Sequence, residues 1–173
     1  MKIILLLLSV LLSLNSIQAQ NDWALILIGK VKAEETSLPF ENALVKVTTN
    51  YSDTSEYIAD KNGGFEIKLA SDNVYLVTFS YPEYVSKSLE FSTENVSQEY
   101  KHGGDDQFQF QISLFRQLEG LDVSIFENPL ARVELSDEGT QFMYNNEYSN
   151  SIKSEVQKVM KEREKLLKSN VDD

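Results

Sequence analysis

The chain has 173 residues, no cysteine, and a net charge of −11 from 27 acidic against 16 basic side chains. The missing cysteine excludes disulfides, thiolate metal sites, a cysteine nucleophile and a lipid-modified cysteine. The acidic balance favours solubility and argues against general nucleic-acid binding, which needs basic patches to neutralise phosphate.

The first segment has the plan of a secretory signal. Lys2 supplies the positive start, residues 3–14 a short apolar run, and Ile17-Gln18-Ala19 the cleavage site, so residues 1–19 are expected to be removed and the mature chain to start at Gln20. The run stops at Asn15, short of the roughly 20 apolar residues a spanning helix needs, and no later stretch is long and apolar enough to span. The chain is therefore expected in the periplasm or at the cell surface, with no membrane span in its mature part.

From Trp23 to Phe115 the pattern has period two, as half-buried strands require. An apolar run, WALILIGKVK, comes first. ALVKVTT follows with Ala43, Val45 and Val47 on one side, and GFEIKLA with Phe65, Ile67 and Leu69 on one side. VYLVTFSY turns Tyr75, Val77 and Phe79 one way, YVSKSLEF comes next, and QFQFQISLF aligns Phe108, Phe110, Ile112 and Leu114. Strands of this length between short polar turns predict an antiparallel β-sandwich of about 100 residues. Between IAD and GFEIKLA lies Asn62-Gly63, which predicts a hairpin reversal. A calcium loop there would need more carboxylates at alternate positions and a closing glutamate. Asp60 and Asn62 stand alone, so the segment reads as a turn.

The stretch GKVKAEETSLPFENALVKVTT, then YIADKNGGFEIKL, then YLVTFSYPEYVSKSLEF resembles the carboxypeptidase regulatory-like domain, a transthyretin-like sandwich of seven strands. Gly29 before Val31, Pro39 before Asn42-Ala43, Asp60, Gly63, Phe65, Ile67 and the run from Phe79 to Tyr84 carry the likeness. Ala59 stands where that family usually has threonine and Glu83 where it usually has glycine. The resemblance covers roughly residues 27–115 and implies a fold rather than an activity, because such modules are attached to peptidases, outer-membrane receptors and adhesins alike. The peptidases of that group keep their zinc ligands in a separate catalytic domain.

Beyond Phe115 the apolar pieces shorten. Residues 131–135 and 141–144 predict a small two-stranded extension, after a break at Pro129 and around a turn at Asp137-Glu138-Gly139. A helix is predicted to start between Asn146 and Ser151. Tyr148, Ile152, Val156, Val159 or Met160, and Leu166 or Leu167 form its apolar stripe. Six basic residues (Lys153, Lys158, Lys161, Arg163, Lys165, Lys168) against Glu155, Glu162 and Glu164 make this tail basic on an acidic body. The expected arrangement is that the first turns dock on protein and that residues 161–168 project into solvent or toward a partner. The tail is similar to those of exported Gram-negative proteins that carry this module. The expected layout is a signal over 1–19, a sandwich over 20–115, a β extension over 116–145 and an amphipathic helix over 146–173.

His102 is the single histidine. Beside Asp105 and Asp106 it could be set in a hydrolase triad or a metal cluster, but a polar loop does not hold a nucleophile in the required geometry. No nucleophile-elbow, zincin or phosphate-loop pattern occurs. The expectation is a non-catalytic chain with no cofactor and no metal, binding an envelope protein or a glycan. The alternatives are a hydrolase using His102 and an accessory subunit of an envelope complex. Tyr81, Tyr84 and Tyr100, near loops at the sandwich ends, and Lys161, Lys165 and Lys168, on the tail, are the candidate contact residues.

Overall fold

A computed structural model describes residues 23–169; the expected signal, residues 1–19, lies outside them. Among the described residues nine strands form two sheets. They are β1 (Ala24–Ala33), β2 (Leu44–Thr49), β3 (Asp53–Ile58), β4 (Gly64–Ala70), β5 (Val74–Ser80), β6 (Lys87–Ser92), β7 (Asp106–Leu114), β8 (Arg132–Leu135) and β9 (Phe142–Tyr144). A short helix α1 (Gln98–Lys101) precedes β7, a 3-10 turn spans Ser124–Glu127, and α2 (Asn146–Ser169) ends the described chain. The small sheet has the order β4-β1-β7 and the large one β3-β2-β5-β6-β8-β9.

The inner faces are those read from period two. Val45, Phe79, Ile67 and Leu114 are among the buried residues that close the core between the sheets. The sheets are mixed rather than antiparallel, because β7 runs parallel to β1 and β8 parallel to β6. Side-chain alternation is the same in both kinds of pairing, so strand direction has no signature in the pattern. The two-stranded extension is present, and it lengthens the large sheet instead of forming a separate unit.

The expected hairpin at Asn62-Gly63 is also corrected. The chain does turn there, but β3 pairs with β2 while β4 pairs with β1, so the turn carries it from one sheet to the other. Of the pair Asn62-Gly63, only Gly63 has positive φ, at 70°. Its N–H donates to Asp60 O at 2.8 Å, and the Asp60 carboxylate accepts from the N–H groups of Asn62 and Gly64 at 2.7 and 2.8 Å. Those donors, Gly64 first and Asn62 second, hold the Asp60 carboxyl below its ordinary value. The crossing is fixed by Val31, whose N–H donates to Gly63 O at 2.8 Å.

Candidate functional site

Tyr81 and Tyr84 stand at one end of the sandwich. The turn that follows β5 closes with Tyr84 N–H donating to Tyr81 O at 3.1 Å. Tyr81 stacks on Phe40 with ring centres 4.1 Å apart, Tyr84 meets Phe40 edge-on at 4.6 Å, and the Arg116 guanidinium lies 5.6 Å over the Tyr84 ring. Both tyrosines are half-buried, so they brace the end of the core and leave only part of each ring outside.

Tyr100 is at the opposite end. It meets Trp23 and Phe142 edge-on, at 6.0 and 6.2 Å, and its hydroxyl donates to Asp106. Burial, and then the Asp106 carboxylate, push its pKa well up. The three tyrosines therefore do not form one site. His102 caps α1 and is exposed. Its two acidic neighbours are engaged elsewhere. Asp105 pairs with Lys68 at 2.9 Å and accepts from Ala24 N–H at 3.0 Å, while Asp106 holds Tyr100. Among the described residues no group of three or more histidines and carboxylates is placed to hold a metal.

The tail is where sequence expectation and structure part most. Asn145 caps α2, its side-chain oxygen accepting from Tyr148 N–H at 2.8 Å, and the Tyr148 hydroxyl donates to Pro129 O at 2.7 Å. The first turns dock on protein as expected. The outer half does not project. Val156, Val159, Met160 and Leu166 pack on a second core of Val85, Phe115, Leu121 and Phe126. Arg163, in that outer half, is the buried residue of the helix. Its guanidinium pairs with Glu34 at 3.4 Å and with Glu35, and lies 5.0 Å from the Phe115 ring centre. Lys87 joins from β6, donating to Glu34 at 3.3 Å and to Ser113 O at 2.6 Å.

This latch of Glu34, Glu35, Lys87 and Arg163 escaped the sequence reading. Its one local trace is a single arginine among lysines, the cation suited to forked contact with carboxylates. Burial lowers the pKa of Lys87, and Glu34 opposes the shift. Burial alone would raise the Glu35 carboxyl. The Arg116 and Glu35 N–H groups and the Arg163 guanidinium overcome it, and the net shift is downward.

The lysines take the other face. At about 3.6 residues per turn, Lys158, Lys161, Lys165 and Lys168 lie opposite Arg163, and all four are exposed. None of the four takes part in an ion pair among the described residues. Lys161, Lys165 and Lys168 thus share one surface, joined by Lys158. The sequence carries that signal in the spacing of three, four and three.

No helix among the described residues is long and apolar enough to cross a membrane. No family model matches the chain, and no curated protein matches it. Solved structures with a similar course include 3-chlorocatechol 1,2-dioxygenase from Rhodococcus opacus 1CP, at 12% identity over 54% of this chain and 60% of that one, with a TM-score of 0.41. Catechol 1,2-dioxygenase from Acinetobacter sp. ADP1 aligns at 13% identity over 61% of this chain and 56% of that one, TM-score 0.43. The group B streptococcus pilus 2b backbone protein aligns at 10% identity over 54% and 42%, TM-score 0.39. The chain spans less than two thirds of each of these proteins, and its fold rests on its own strand pairing.

Proposed function

We propose that the chain is an exported, non-catalytic protein of the cell envelope, in the periplasm or at the cell surface, that binds a protein or glycan partner. Its sandwich resembles the carboxypeptidase regulatory-like domain, and its helix α2 offers the contact face. The observation that carries the reading is the division of α2 into two faces: one bound to the sandwich through Arg163 and the second core, the other a row of four exposed lysines. A cationic row on a chain of net charge −11 attracts an acidic partner surface that the rest of the molecule repels.

The test is affinity capture from the envelope of the source cell, comparing the native chain with one carrying Lys158→Glu, Lys161→Glu, Lys165→Glu and Lys168→Glu. The reversed chain is expected to keep its melting temperature within a few degrees and to lose the bound partner. A partner retained by the reversed chain would remove the lysine face from the function. Histidine-dependent turnover, abolished by His102→Ala, would replace the reading by the enzymatic one.

A further inference from the structure

The small sheet ends in a strand with no neighbour on one side. β7 is the last member of the order β4-β1-β7. Leu114 O accepts from Glu34 N–H at 2.8 Å, which places the backbone groups of Leu114, and by alternation those of Ile112, Phe110 and Phe108, toward β1. The backbone groups of Gln107, Gln109, Gln111 and Ser113 then face away from the sheet. Both ends of this edge are closed. Gln107 N–H donates to the Asp106 carboxylate at 2.7 Å, and Ser113 O accepts from Lys87 at 2.6 Å. Between them the N–H and C=O groups of Gln109 and Gln111 have no hydrogen bond to protein among the described residues.

The side chains repeat the point. Gln107, Gln109 and Gln111 are exposed, Phe108 and Phe110 are half-buried on the inner face, and no charge occurs from Gln107 to Leu114. Edge strands are ordinarily protected by lysine, proline, a bulge or shortness. At the other edges, β3 carries Asp53 and Glu56, β4 carries Lys68, and β9 has three residues. β7 has nine residues and none of these protections beyond the acid at its first position.

We infer that this edge is a docking edge for a single extended, uncharged segment of a partner protein, added beside β7 as a fourth strand of the small sheet. The inference rests on the reading of the chain as a binding protein, and it uses a surface other than the lysine row. The layers choose the occupant. β7 lies across from β6, with Phe91 within 5.7 Å of Phe108 and 5.8 Å of Phe110 between ring centres. The large sheet continues past β6 as β8 and β9, a shelf with half-buried Leu135 and with Tyr144, 42% exposed and 5.3 Å from Phe108. Strands in a sheet lie about 4.8 Å apart and packed sheets about 10 Å apart. One added strand therefore sits over that shelf, and its inward side chains cover Phe108, Leu135 and Tyr144. A second copy paired through its own β7 would bring its β6 into the space that β8 occupies. A lone strand fits where a second copy does not. Inward positions call for branched or aromatic apolar side chains, outward ones for small polar groups beside the glutamines.

The experiment follows amide hydrogen exchange of the full mature chain by NMR with a capped nine-residue peptide of alternating valine and threonine. A counterpart with glutamate for every valine is the control. The valine peptide is expected to slow exchange at Gln109 and Gln111 at least tenfold, leaving Phe108 and Phe110, already in the ladder with β1, unchanged. Gln109→Pro removes an outward N–H and should abolish the effect without breaking the β1 ladder. Gln111→Glu, which leaves the backbone alone, should weaken it at least tenfold. The chain with four lysines reversed should bind the peptide as the native chain does, so failure of the lysine face and failure of this edge read out separately. No slowing by the valine peptide, equal slowing by both peptides, or slowing that appears with protein concentration alone, as a second copy would give, overturns the proposal.

Discussion

Replacing Arg163 by methionine keeps much of the apolar stem and removes the guanidinium. In the native chain that side chain is 8% exposed, against 30% and 33% for its partners Glu34 and Glu35. Breaking a fully buried ion pair from one side costs about 3–5 kcal/mol, since the remaining charge is left uncompensated. Here both carboxylates reach water, and Lys87 still holds Glu34 at 3.3 Å, so the penalty falls to about 2 kcal/mol after screening. The contact with the Phe115 ring adds about 0.5–1 kcal/mol. The expected loss is about 2–3 kcal/mol, a fall in melting temperature of roughly 5–10 °C for a chain of this size. Urea unfolding followed by circular dichroism measures the first, and hydrogen exchange across residues 156–166 locates it. Deleting residues 161–173 should cost at least as much, because Leu166 leaves the second core as well. A change below about 0.5 kcal/mol in Arg163→Met, the size of an exposed pair, would mean that the outer half of α2 is peripheral.

Gly63→Val should lower stability by about 3 kcal/mol or more, from the left-handed φ and from overpacking, because a Cβ there would lie 2.3 Å from Val31 O; an unchanged urea midpoint would move the crossing elsewhere. Acid should loosen α2. The folded-state pKa of Glu35 lies below its ordinary 4.5, so its contribution is complete above that value and is lost as pH falls through the lowered one. Protection of the α2 amides, corrected for the intrinsic pH dependence of exchange, should fall steeply between pH 6 and 3 in the native chain and more gently in Arg163→Met; parallel curves would count against the latch. Mass spectrometry of the chain from its source cell should find the mature start at or near Gln20, and an intact Met1 would defeat the export reading.

The parts of the fold legible in the sequence are those whose cause is local. Phe65, Ile67 and Leu69 point inward, and Asp60 to Gly63 turn, because strand period and turn chemistry act over a few residues. Which strand β4 joins is decided by residues far along the chain. Gly29 leaves the room that the Phe65 ring occupies, since a Cβ at 29 would lie 2.4 Å from it, and Val31 N–H takes Gly63 O. Neither fact can be read from the turn, which is why a sheet-to-sheet crossing looks like a hairpin. The tail follows the same rule. Its helix, its apolar stripe and its lysine row are matters of spacing, and they were readable. Its mode of attachment was not, because Arg163 meets Glu34 and Glu35 across 129 and 128 positions of sequence. Charge counting treats Arg163 as one more cation of a basic tail, whereas it is buried against the sandwich and the lysines are exposed on the opposite side of the helix. The tyrosines differ from the lysines. As candidate contact residues they are split and partly engaged, because the fold sends Tyr81 and Tyr84 to one end against Phe40 and Tyr100 to the other against Trp23 and Phe142. Contact residues are therefore better sought where exposure is combined with missing partners, on the lysine row and along the edge of β7, than where aromatic side chains are frequent.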